Sequence, residues 1–138
     1  MIQIKIDTKF NRIPAIQAQL RPSVIQVVSK TAHDVEAGVK LEMRAPKSGR
    51  VYRRGSRSHQ ASAPGQAPAV DYGQLINSIQ VSPETPALTM TVGTNVEYAM
   101  ALEYGSRRVA PRPVWRPVAE KLRKPFIDAM TFVLRQLK

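Results

Sequence analysis

From Ser23 to Arg44 the apolar residues Val24, Val27, Val28, Ala32, Val35, Val39 and Met43 recur at steps of three and four. The same rhythm reaches back through Leu20, Ile16 and Ile13 to Phe10. A stripe this long is one face of an amphipathic helix, and its ordinary fate is burial against other parts of the same chain. Pro14 and Pro22 lack an amide donor, so they are expected to start or kink the helix. The C-terminal end repeats the pattern with Val118, Leu122, Phe126, Met130, Val133 and Leu137. Pro117 suits the first turn of that helix, and Pro125 is expected to kink it. Two long amphipathic helices need something to lie on.

The segments between them supply a small sheet. Ile2, Ile4 and Ile6 alternate with polar residues as in a half-buried strand, and Ser78–Val81 with Leu88–Gly93 reads as a hairpin around "SPETP". Asp71 with Gln74, ahead of Leu75, Ile76 and Ile79, has the spacing of a capping box opening a short helix. Asn95 is placed to cap a helix carrying Val96, Ala99 and Leu102, with Gly105 as its stop. The stretch "APRPVWRP" must begin extended, because residues before proline avoid the α region. At 138 residues a single domain is expected, residues 1–138. Its class is α+β: a small antiparallel sheet packed with a long N-terminal helix and a C-terminal helix.

Residues 45–71 fit none of these patterns. This Pro/Gly/Ser-rich stretch is far longer than ordinary connections, which run to about 4–6 residues. Within it, "APGQ" (Ala63–Gln66) fits a type II turn, with Pro64 and Gly65 at the central positions. The rest reads as a long basic loop. Arg44, Lys47, Arg50, Arg53, Arg54 and Arg57 follow one another with no acid between them, and a second basic run includes Arg107, Arg108, Arg112 and Arg116. With 21 Lys+Arg against 10 Asp+Glu the chain carries +11, a balance that fits a polyanion or an acidic protein surface.

Catalysis finds little support. Cysteine is absent, which removes thiol nucleophiles, disulfides and cysteine zinc sites. His33 and His59 stand alone, and a nucleophile near His59 would need a base fixed by a third group. Glu97 and Glu103 are too far out of helical phase to act as a pair. The lone glycines of "VGTN" and "EYGS" read as turn and cap rather than phosphate loops. No enzyme, cofactor or metal is expected. No apolar run is long enough for a membrane span and no secretory signal opens the chain, so a cytoplasmic, soluble protein is expected.

Several short motifs, taken together and in order, resemble a known family. They are Ser-Gly-Arg-x-Tyr at Ser48–Tyr52, the Ala-Ser-x-Pro-Gly-x-x-Pro-Ala type at Ala61–Ala69, Gly-x-Leu at Gly73–Leu75, Tyr-Ala…Glu-Tyr-Gly at Tyr98–Gly105, and Arg112–Pro113. The chain resembles the neck, or head–tail joining and tail-completion, family of long-tailed bacteriophages and prophages. One departure is Val114–Trp115, where the family pattern places an aromatic residue directly after Arg-Pro. The resemblance implies a structural virion protein without catalysis. Such a protein forms or joins a ring, commonly of six subunits, between the head connector and the tail tube. Its motif residues here are Gly49, Tyr52, Pro64, Gly65, Pro68, Gly73, Leu75, Tyr98, Glu103, Gly105, Arg112 and Pro113. The cluster from Arg44 to Arg57 is then a candidate lining for the DNA channel, contacting genomic DNA non-specifically, or a dock for an acidic connector or tube face. Tail terminators and other minor tail proteins are the alternative within the virion. A small basic nucleic-acid-binding protein or RNase toxin is the alternative outside it.

Overall fold

The first helix, α1 (Ile13–Arg44), is 32 residues long in the computed structural model, which describes residues 12–84 and 88–136. It is followed by β1 (Val51–Arg54), β2 (Arg57–Gln60), α2 (Gln74–Ser78), β3 (Gln80–Glu84), β4 (Thr89–Gly93), α3 (Ala99–Tyr104) and α4 (Trp115–Arg135). The fold is α+β with small antiparallel sheets. The strand expected at Ile2–Ile6, and the stripe residues Phe10 and Leu137, lie outside the described residues.

α1 runs through Pro22 and α4 runs through Pro125 without a break. Each proline removes the donor for a carbonyl four residues earlier, at Ala18 and Lys121. Both of those residues are exposed, so water can take the hydrogen bond. Pro14 sits in the first turn of α1 and Pro117 in the first turn of α4, as the sequence predicts.

Burial is confined to the C-terminal half of the long stripe, from Ala32 onward. Val39 and Met43 join Leu75, Ile76, Ile79, Ala99, Val114 and Val118 in the core, whereas Ile13 is 62% exposed. The core therefore sits where the end of α1 meets α2, the start of α3 and the first turn of α4. Complete burial of a side chain such as Val39 or Ile79 stabilises by about 1.5–3 kcal/mol. Close approach of α1 and α4 requires Gly38: a Cβ there would lie 2.8 Å from Val118 Cγ1. Lys121 Nζ adds an ion pair to Glu42 Oε1 at 2.6 Å across the same two helices.

The strands form two separate antiparallel pairs. β3 and β4 pair from Gln80↔Gly93 to Glu84↔Thr89 and pack on α1. β1 and β2 pair from Val51↔Gln60 to Arg54↔Arg57, chiefly with each other. The second pair corrects the reading of 45–71 as a loop. It is a hairpin closed by Gly55 and Ser56, with Gly55 at φ +63°, the glycine-first pattern of a two-residue turn. All of its residues but His59 are exposed, so no apolar alternation announced it. The type II turn at Ala63–Gln66 is present: Gly65 has φ +81° and Gln66 N–H donates to the Ala63 carbonyl at 3.1 Å.

Two expected caps are absent. α2 opens after Gly73 (φ +81°) with no side-chain cap, and the Asp71 carboxylate accepts from Arg54 instead. α3 begins only at Ala99, without a side-chain cap, and upstream of it the Val96 N–H donates to Thr94 Oγ1. Gly105 does end α3, at φ +82°.

Candidate functional site

Six of the family-motif residues, Gly49, Gly65, Glu103, Gly105, Arg112 and Pro113, meet in one place. At the root of the hairpin, Gly49 N–H donates to the Ala61 carbonyl and Ala61 N–H to the Arg50 carbonyl, both at 3.0 Å. A Cβ on Gly49 would fall 2.5 Å from the Ala61 oxygen, so only glycine allows this approach. The chain then runs as a strap over the segment before α4. Arg112 Nε donates to the carbonyl of buried Ser62 at 3.2 Å, and Gly65 N–H to the Pro111 carbonyl at 2.8 Å. Gln66 Oε1 braces the strap by accepting the N–H groups of Ser48 and Ala63. Pro113 lines a shallow groove with Gly65 and Ala67.

Glu103 completes the arrangement. It is only 8% exposed, and its carboxylate accepts three N–H groups: Val114 at 2.7 Å, Trp115 at 3.1 Å and Arg116 at 2.9 Å. These are the donors that open α4 and that no helical carbonyl satisfies. A carboxylate there also faces the positive end of the helix dipole. Arg112 N–H donates to the Leu102 carbonyl at 2.6 Å, one residue before Glu103. A Cβ on Gly105 would meet Pro111 Cγ at 2.9 Å.

Other motif residues fall elsewhere. Pro68, Gly73, Leu75 and Tyr98 line a second cleft with Met43 and Leu102, and the Tyr98 hydroxyl reaches Gln74 Oε1 at 3.4 Å. Tyr52 stands on the hairpin beneath the Arg50 guanidinium, 5.4 Å from ring centre to charge.

The six basic candidates do not act alike. Lys47 turns inward and donates to the Glu42 carbonyl at 2.7 Å, and burial lowers its pKa. Arg54 reaches Asp71 Oδ2 at 3.1 Å and the Tyr72 hydroxyl at 3.2 Å. Arg57 donates to the Asp71 carbonyl and lies 3.5 Å from its carboxylate. Both guanidiniums cover the Tyr72 ring, at 5.7 and 4.7 Å. His59 Nδ1 lies 3.8 Å from the same carboxylate. Asp71 is thus a latch that holds one face of the hairpin to the domain. Arg44, Arg50 and Arg53 remain exposed.

Arg107 and Arg108, absent from the candidate cluster, occupy an exposed turn after α3. Ser106 rigidifies that turn: its N–H donates to the Val109 carbonyl at 2.8 Å and its Oγ accepts from Arg108 and Val109. The "GSRR" run was the available signal. Among the described residues no group of three or more His, Cys, Asp or Glu side chains could hold a metal ion, and no helix is long and apolar enough to cross a membrane. No family model, curated protein or solved structure matches the chain.

Proposed function

We propose that this chain is a structural virion protein of a tailed bacteriophage: a ring-forming head–tail joining or tail-completion component, acting without catalysis. The observation that carries the reading is the convergence of the motif residues. Gly49, Gly65, Glu103, Gly105 and Arg112 come from distant parts of the sequence, yet they tie together one strap. Motif residues that cooperate in one working part of a fold support a family resemblance better than residues scattered over its surface.

The arrangement also suits a ring subunit, which needs two unlike surfaces for head-to-tail contacts. The basic hairpin is one such surface. The exposed Ile127, Phe132 and Leu134 of α4 provide apolar area of a different kind. The partners in this reading are further copies of the chain, the head connector, the tail tube and the genome that passes between them. The site of action is the virion neck, reached from the host cytoplasm during assembly.

The test is electron microscopy of a lysate from a prophage in which the gene has been deleted. DNA-filled heads beside separate tails of normal length are the expected result. Abnormally long tails would replace the joining role with that of a terminator. Intact, infectious particles would overturn the virion reading altogether.

A further inference from the structure

α4 has more apolar surface than its neighbours cover. Val118 is its only buried residue among those described, and Ile127 and Leu134 are 50% and 53% exposed. The side turned to α1 is marked by the approach of Val118 to Gly38 and by the Lys121–Glu42 ion pair. Ile127 comes nine residues after Val118, which at about 100° per residue puts it on the opposite side of the helix. Glu120, Arg123 and Leu134 fall within about 40° of Ile127, and Met130 within about 60°. Met130 is half-buried and the other four are exposed. From Glu120 through Arg123, Ile127 and Met130 to Leu134 the steps are three, four, three and four. That is the spacing of a seam along which a second helix packs.

The charges decide which helix fits. Lys121 pairs with Glu42, Lys124 pairs with Asp128, and Arg116 covers the Tyr104 ring. Glu120, Arg123 and Arg135 have no charged partner among the described residues. Glu120 stands seven residues before Ile127 and Arg135 eight after it. An antiparallel copy of the same helix, centred beside Ile127, therefore sets Glu120 against Arg135 of the second copy, and symmetry repeats the pair. A parallel copy would set like charges together. In the antiparallel arrangement the two Ile127 side chains meet at the centre, and Met130 and Leu134 extend the apolar contact to either side. Arg123 can lay its stem along the seam with its charge in water.

We infer that the outer face of α4 is a docking surface for a second copy of this chain, bound antiparallel about a two-fold axis at Ile127. About four helical turns from each copy make a contact smaller than the roughly 1,600 Å² of a standard interface, so the dimer is weak and reversible. The pairing does not depend on the proposed function. Where that function holds, paired copies are closed off from ring growth, because a two-fold contact uses the same patch on both subunits.

The experiment is sedimentation of the full chain from about 10 µM to 1 mM, where an interface of this size should show a monomer–dimer equilibrium. Ile127→Glu should abolish the dimer and leave the thermal melt unchanged, since Ile127 is exposed. Glu120→Arg or Arg135→Glu alone should weaken it about tenfold, because each turns two exposed ion pairs into repulsions, and the two together should restore it. The chain has no cysteine, so Ile127→Cys introduces a single thiol at the axis and should cross-link on oxidation, whereas Leu41→Cys, exposed on α1, should not. A wild type that stays monomeric throughout, a charge exchange that fails to restore the dimer, or equal cross-linking of both cysteine variants would overturn the pairing. A six-membered ring indifferent to Ile127→Glu would overturn it too, while leaving the proposed function standing. A dimer whose gene deletion leaves phage particles intact would remove the virion reading alone.

Discussion

Glu103 Oε2 lies 2.7 Å from the backbone nitrogen of Val114, eleven residues further along and in the extended approach to α4. A residue from one helix thereby caps another. Glu103 and Val114 are both buried, which shields this hydrogen bond from water.

Glu103→Ala should accordingly be among the more damaging single substitutions. It leaves three N–H groups without their acceptor, and an unsatisfied buried group costs about 1–3 kcal/mol. Glu103→Gln keeps an acceptor oxygen and should lose less. Urea unfolding of both variants checks the order, and equal losses would mean that the hydrogen bonds are not what Glu103 contributes.

Glycine substitutions should separate strain from overlap. Gly55→Ala meets nothing within 4 Å but places a side chain at φ +63°. Its loss should be the backbone term alone, about 1–2 kcal/mol. Gly105→Ala adds overlap with Pro111 to a backbone conformation (φ +82°, ψ 171°) that is essentially reserved for glycine, and should cost more. Gly38→Ala should destabilise through Val118 even though alanine favours helix by about 1 kcal/mol. Thermal melts ranking Gly38→Ala above the wild type would contradict the close crossing of α1 and α4.

The Glu42–Lys121 pair predicts a pH dependence. The Lys121 ammonium, first by its hydrogen bond and then by its charge, holds the Glu42 pKa below the ordinary 4.5. In the pH range between the folded and unfolded values the unfolded chain binds more protons, so stability rises with pH there. The contribution is present above about 4.5 and is lost as pH falls through the folded value. Lys121→Gln should move the Glu42 titration upward by NMR. The stability gap to wild type should be greatest near neutral pH and close in acid. Because the pair is largely exposed, that gap should be small.

Releasing the latch should loosen the hairpin. Asp71→Asn removes the carboxylate that holds Arg54 and Arg57. Amide exchange across Val51–Gln60 should quicken. Slower exchange would show that Asp71 does not restrain the hairpin.

What the sequence made legible follows from periodicity. α1, α4 and the β3–β4 hairpin carry apolar residues at helix or strand spacing, so their existence could be read directly. β1 and β2 carry no such pattern because every residue but His59 is exposed, and the hairpin is organised by hydrogen bonds and the Gly55 turn. Asp71 had the spacing of a capping box, but the rule is local and could not include arginines 14–17 residues away. Glu103 could be excluded as half of a catalytic pair without its structural task being visible. That task needs the extended segment before α4 to fold back onto α3. The basic cluster was likewise readable as a composition. Its division into latched, inward and free cations depends on side-chain partners that no spacing encodes.

The strap is held mostly by main chain. Gly49 to Ala61, Gly65 to Pro111 and Arg112 to Leu102 are all joined through peptide groups, which every residue but proline can supply at the donor. Replacing a neighbouring side chain leaves those ties untouched. The architecture therefore tolerates extensive mutational drift around a few fixed points: glycine where a Cβ has no room, and Glu103 and Arg112 where a side chain makes the bond. Two proteins descended from a common ancestor could keep this strap while sharing little else in sequence.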